Sequence, residues 1–141
     1  MYKVFNQNPK HNMIFRVARH TNNLKRLSHF YIDILELQIL GEFVNHDNYN
    51  GMFLGLENEN WHLEFTESDE PANHTFDEDD LLVFYPTDDN QLNRILSNIK
   101  NHNIKIQESK NPYWRVNGIQ INDPDGYGII ISGQRTKKEN S

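Results

Sequence analysis

The feature that most restricts how this chain can fold is that it repeats itself once. Thr21-Asn22-Asn23 ends an apolar-rich stretch and opens a helix, and Thr87-Asp88-Asp89 does the same 66 residues later, after LLVFYP. Behind the first signal stand Leu24, Leu27, Tyr31, Ile34 and Leu35; behind the second stand Leu92, Ile95, Leu96 and Ile99. Both sets fall at helical spacing after an Asn or Asp cap, so each helix hides one face. Asn50-Gly51 and Asn117-Gly118 then offer Asn-Gly turns, each followed by a short strand and a last strand, WHLEFT or GIIISG. Each half reads β, α, β, β, β.

Such a module carries a helix on one side of a curved sheet and leaves the concave side uncovered. Two modules hide their apolar faces by sharing one sheet. The expected fold is therefore α+β: two βαβββ modules, 15–66 and 81–132, forming one eight-stranded cupped mixed sheet with both helices outside. Residues 1–14 read as an N-terminal extension and 133–141 as a polar tail, around a single domain spanning 15–132. The stretch 67–80, ESDEPANHTFDEDD, is acidic and aperiodic and reads as a solvated connector. A calcium loop starting at Asp77 would need glycine where Leu82 stands and glutamate where Asp88 stands, so that reading fails.

A chain of 141 residues, 36% hydrophobic and 24% charged, buries one core of ordinary size. Without cysteine there is no disulfide framework and no thiolate zinc site, and the opening residues lack a secretory pattern. The expected compartment is the cytoplasm. A net charge of −6 supplies no general attraction for phosphate backbones, and no apolar run is long enough to span a bilayer. Nucleic-acid and membrane partners are poor expectations. The chain also lacks a G-x-S-x-G elbow, an H-E-x-x-H pair and a phosphate-cradling glycine loop, which disfavours nucleophilic and phosphoryl-transfer chemistry.

Three strings carry a resemblance: RVAR followed by T-x-x-L, then HLEFT, then NPYW before a DPDGY turn. Over Phe15 to Ile131 the chain resembles the vicinal oxygen chelate superfamily, the glyoxalase, dioxygenase and bleomycin-resistance group, and within it a poorly characterised bacterial subgroup. The resemblance implies a cup that holds a metal through side chains from the first and last strands of both modules. Counting back from the helix cap puts Arg16 where the first module's histidine belongs, and the 66-residue offset puts Leu82 in the matching place. Of the acidic ligand positions, Glu64 remains, while its counterpart is Ile130. Leucine and isoleucine offer no lone pairs and arginine repels a divalent cation, so no metal and no cofactor is expected.

His62 and Glu64 lie two apart on a strand and share a face, with Arg16 beside them. These three are the expected floor of a ligand pocket; the plainer account is a buried Arg–Glu pair with a histidine filler, and the pair is compatible with a ligand-binding role. Tyr113 and Trp114, on a loop entering the third strand of module two, are its expected rim, with packing at a sheet edge or a subunit contact as the alternative. Trp61, Leu63, Phe65, Val17, Ile129 and Ile131 are expected core; His20 lies near the rim, and His46 and Asp47 in an exposed turn. The leading function is binding of a small organic molecule, anions included, without metal. The alternative is an isomerase, a lyase or another metal-assisted enzyme of the same superfamily. Open sheet edges make a homodimer the expected assembly, and the cup forms within one chain or across two.

Overall fold

A computed structural model describes residues 12–133. The expected extension before residue 12 and the tail after residue 133 lie outside the described residues. The elements run β1 (Phe15–His20), α1 (Leu24–Asp33), β2 (Gln38–His46), β3 (Tyr49–Gly55), β4 (Trp61–Glu67), β5 (Leu81–Phe84), α2 (Asp89–Asn101), α3 (Pro112–Asn117), β6 (Ile119–Asn122) and β7 (Gly128–Ile131). Both expected caps are in place: Asn23 accepts from Arg26 N at 3.0 Å, and Asp88 from Gln91 N at 2.8 Å. Glu67 closes a further orphan donor of α1, accepting from Leu24 N at 2.7 Å. None of the described helices is long and apolar enough to cross a membrane.

The shared sheet is not formed. Module one is a four-stranded sheet in the order β1-β4-β3-β2, and module two a three-stranded sheet in the order β5-β7-β6. Where an eighth strand was expected, a single bridge joins Gln107 to Gln120. The polar, charged run Lys105 to Lys110 has too little apolar alternation to hold a longer ladder. β1 and β5 each end a sheet and exchange no ladder bonds, so the modules meet through side-chain packing and side-chain hydrogen bonds, two of them to backbone carbonyls: Arg26 to Pro124 O and Asn98 to Ile34 O. Leu63 and Phe65 of β4 join Leu27 and Tyr31 of α1, Ile95 and Ile99 of α2, and Ile129 and Ile131 of β7 in one core. Val17 and Trp61 pack against it, Trp61 through a ring contact with Phe84 at 6.0 Å between centroids.

Both Asn-Gly turns are elsewhere than expected. The β2–β3 reversal uses Asp47 and Asn48, at φ 53° and 71°, because Asp and Asn tolerate the left-handed region that a two-residue hairpin demands. Gly51 instead lies inside β3, opposite Phe43. Asn117 ends α3, a helix built on NPYW that displaces the expected loop: Asn111 caps it by accepting from Tyr113 N at 2.9 Å, and Pro112 fits its first turn. Gly118 follows in extended backbone, where a Cβ would come within 2.8 Å of Ile130 Cγ2.

The connector is more than solvated. His74 hydrogen-bonds His20 O at 2.7 Å, and Phe76 packs on Tyr127 with ring centroids 4.6 Å apart.

Candidate functional site

Residues paired across a ladder share a face, so the register defines the concave surface of module one. Arg16 stands opposite His62 and Ala18 opposite Glu64, in the parallel β1–β4 pair. Phe53 faces Glu64 from β3, and Gly41 faces Phe53 from β2. Alternation along β1 and β4 sends Val17, Leu63 and Phe65 to the core and leaves Arg16, His62 and Glu64 on the other side.

Those three side chains touch. Arg16 Nε donates to His62 Nε2 at 2.9 Å, and Arg16 Nη1 pairs with Glu64 Oε1 at 3.3 Å. The guanidinium carbon stands 4.7 Å from the centroid of the Phe53 ring, and His62 meets the same ring edge-on at 5.9 Å. Since arginine can only donate, His62 Nε2 presents its lone pair and the neutral ring carries its proton on Nδ1. The pair is not buried: the Arg16 side chain is 48% exposed and that of Glu64 16%. The buried-pair account of Arg16 therefore fails, because one partner keeps much of its hydration.

A guanidinium has five N–H groups, and hydrogen bonds to His62 and Glu64 engage two of them. His20, at the next position on this face, is held by Thr66 Oγ1 at 2.9 Å and by Ser68 Oγ at 3.2 Å.

Module two presents no such chemistry. Leu82 was expected opposite Arg16 in the repeat, but it pairs with Ile129 and packs on the core. The reason is that Thr87 stands one residue before its cap, Asp88, whereas Thr21 stands two before Asn23, so the 66-residue offset between the threonines is one too long for the strand. Counted from the caps, Arg16 corresponds to Leu81, which faces Gly128 where Arg16 faces His62. Ile130 does stand in place of Glu64, opposite Val83 and Gln120. Ile130 is fully buried yet outside the main core; α3 lies on it, with Trp114 Cε3 and Ile130 Cγ2 both close to Gly118.

Trp114 thus packs over its own module, with Tyr113 beside it at 4.8 Å between ring centroids and 54% exposed. Among the described contacts, none joins either aromatic to Arg16, His62 or Glu64.

A metal does not fit these residues. Among the described residues no group of three or more His, Asp or Glu side chains is placed to hold one. His62 Nε2 and Glu64 Oε1 already accept from a guanidinium, whose charge opposes a cation, and two side chains are fewer than a metal site takes. A cavity of about 500 Å³ does lie on the opposite side of β4, between the modules, lined by Val17, Leu35, Trp61, Leu82, Phe84 and Ile95, with His62 at its edge. Its walls are chiefly the flanks of the core, with Glu59, Tyr85, Thr87 and Gln91 as further polar members of the lining.

Sequence reasoning missed the second arginine of β1. Arg19, on the core side, donates to Asp123 Oδ2 at 2.6 Å and to Tyr31 OH at 3.1 Å, and Tyr31 OH donates to the same carboxylate oxygen at 2.7 Å. Its guanidinium also lies 3.9 Å from the Tyr127 ring centroid. Burial pushes the Tyr31 phenol well above its ordinary range, and the Asp123 carboxylate adds to the shift. For Arg19, burial opposes the charge, but Tyr31 and Asp123 outweigh it and hold the pKa above the ordinary arginine value. Asp123 was expected only to begin a tight turn, which it does, its Oδ1 accepting from Asp125 N at 2.9 Å and Tyr127 N at 3.1 Å. It also fastens module two to module one.

Residues 15–66 match the model of a YycE-like N-terminal domain and residues 79–132 that of a YycE-like C-terminal domain. The chain is 39% identical over 124 residues to the uncharacterized protein YycE of Bacillus subtilis, covering 85% of this chain and 87% of that one. A crystal structure of a YycE protein of unknown function from Bacillus subtilis superposes with a TM-score of 0.77 at 37% identity, over 87% of this chain and 90% of that one. Glyoxalase I of Leishmania major, trypanothione-dependent, superposes with a TM-score of 0.69 at 21% identity over 92% of both chains. The fosfomycin resistance protein FosX of Listeria monocytogenes, solved with Mn(II) and a dihydroxypropylphosphonic acid, gives 0.63 at 11% identity, over 89% of this chain and 95% of that one. The last two likenesses establish the glyoxalase-like α+β fold.

Proposed function

Because the chain belongs to the YycE-like family of the glyoxalase/bleomycin resistance/dioxygenase superfamily, we propose that it binds a small organic anion on the concave face of module one, without a metal ion. The observation that carries this reading is Arg16. It is held in place by His62 and Glu64, half-exposed, and retains N–H groups that can fork onto a carboxylate or phosphonate. The metal-assisted alternative requires His62 and Glu64 to exchange a guanidinium for a cation. A metal-free isomerase or lyase would use His62 as a base, and its Nε2 would first have to part from Arg16.

The cup is completed in this reading by a second copy of the chain. The unpaired outer edges of β1 and β5 invite a two-fold pairing in which each β1 lies beside the partner's β5. Tyr113 of the partner subunit and Trp114 of the partner subunit then form the rim over Arg16.

The test is a panel of small carboxylates and phosphonates, scored by thermal shift on the wild-type protein and on Arg16→Met. A compound that stabilises the first and not the second is the expected result, and equal shifts in both would overturn the reading. Light scattering at micromolar concentration should return the mass of a dimer; a monomeric mass removes the shared cup.

A further inference from the structure

We infer that the anion taken at this site is aromatic, its ring lying on a floor made by Phe43 and Phe53 and its oxyanion on Arg16. The inference rests on the anion-binding reading above and deepens it.

The floor is built by a reciprocal exchange of glycine and phenylalanine across the β2–β3 ladder. Gly41 pairs with Phe53, and Phe43 pairs with Gly51. A Cβ on Gly51 would overlap the end of the Phe43 ring, and a Cβ on Gly41 would sit 3.2 Å from Phe53 Cδ2. Each glycine therefore lets the opposite ring lie down across the strand instead of standing off it. The rings meet at 5.9 Å between centroids, tilted by 54°, and both stay half-buried. Conformation does not require glycine at 41 or 51, since neither has a positive φ. What requires glycine is the space that the rings occupy.

Phe53 links this floor to the charge. The Arg16 guanidinium stands over its ring at 4.7 Å, and His62 closes the far edge. A flat ligand lying on Phe43, with its edge towards Phe53, then comes within reach of the unengaged N–H groups of Arg16, which stands over Phe53. An aryl carboxylate has that geometry: an anionic fork coplanar with a ring that prefers offset-stacked or edge-to-face neighbours. A bare phosphate engages the arginine and leaves the floor unused, and a flexible aliphatic acid gains burial without ring–ring contact.

Gly51→Ala is the informative variant. The extended backbone accepts alanine, and the obstructing atoms are the far end of the Phe43 side chain, so the protein folds while the ring is lifted off its seat. The probes are 2-naphthoate, cyclohexanecarboxylate and inorganic phosphate, titrated against the full chain while the His62 ring resonances are followed. Wild-type protein is expected to bind 2-naphthoate roughly tenfold more tightly than cyclohexanecarboxylate. Gly51→Ala should erase that preference and keep the weaker carboxylate affinity, whereas Arg16→Met should lose both. Equal affinity for the two carboxylates, or an unchanged preference in Gly51→Ala, overturns the aromatic floor and leaves the anion site standing. If all three probes leave His62 unmoved, the anion site itself is wrong and the floor falls with it.

Discussion

Two arginines three residues apart on β1 make opposite forecasts, and replacing their carboxylate partners separates them. Asp123→Asn removes the charge opposite Arg19 and nearly preserves shape. The pair is 2.6 Å apart with side chains 12% and 0% exposed, and Arg19 Nη1 is already buried without a partner, so a lone guanidinium would be left in the core. Breaking a buried pair in this way costs about 3 to 5 kcal/mol. Glu64→Gln removes the charge opposite Arg16, but that pair is 3.3 Å apart and the arginine is 48% exposed. Solvent takes over, and the cost falls to about 0 to 1 kcal/mol. Urea unfolding followed by tryptophan fluorescence measures both, with Trp61 reporting on module one and Trp114 on module two. If the two modules unfold together, both reporters shift to a lower midpoint in Asp123→Asn. Arg19→Met combined with Asp123→Asn should recover much of the loss, since no unpaired charge remains. A loss in Asp123→Asn below about 1 kcal/mol, or one matched by Glu64→Gln, would refute the assignment of the buried clamp to Arg19.

Alkaline pH should weaken the same clamp. Tyr31 has a folded pKa well above the ordinary value of about 10, so its contribution is complete below that pH and is lost as pH rises towards the folded pKa, the unfolded chain releasing its proton first. Comparing urea midpoints at pH 8.5 and 10.5, the decline should be smaller in Tyr31→Phe than in wild type; equal declines would contradict the shift. Gly118→Ala should destabilise by about 1 to 3 kcal/mol, because its Cβ meets Ile130 Cγ2 at 2.8 Å and the Ile131 carbonyl at 3.2 Å, and a neutral result by thermal melting would mean that α3 yields easily. Millimolar Mn²⁺, Ni²⁺ or Zn²⁺ added to chelator-treated protein should not raise its melting temperature, and a saturable rise abolished by Glu64→Gln would show that the cation displaces Arg16. Asn23→Ala and Asp88→Ala should each cost about 1 kcal/mol in chemical denaturation, as side-chain caps do.

Local rules suffice for much of this protein. Caps at Asn23 and Asp88, the apolar stripes of α1 and α2 and the alternation of WHLEFT act over a few residues, so the repeat, its modules and the shared face of His62 and Glu64 are legible in the chain. Family resemblance added Arg16 to that face, and the register agrees. Parity is less forgiving: Thr87 stands one residue nearer its cap than Thr21 does, so the 66-residue offset overshoots by one and lands on Leu82, which faces the core, because alternation in a strand converts a shift of one into a change of face. The turn fell at Asp47-Asn48 because Gly51 answers to Phe43, a side chain across the ladder that no local signal reveals. Long-range packing likewise made Asp123 more than a turn residue, joined Arg19 to Tyr31 and left one edge of β1 and one edge of β5 without a ladder partner among the described residues. Propensity and capping are settled by neighbours in sequence; which charges are buried, which rings lie flat and which edges stay open depend on groups brought together from distant parts of the chain.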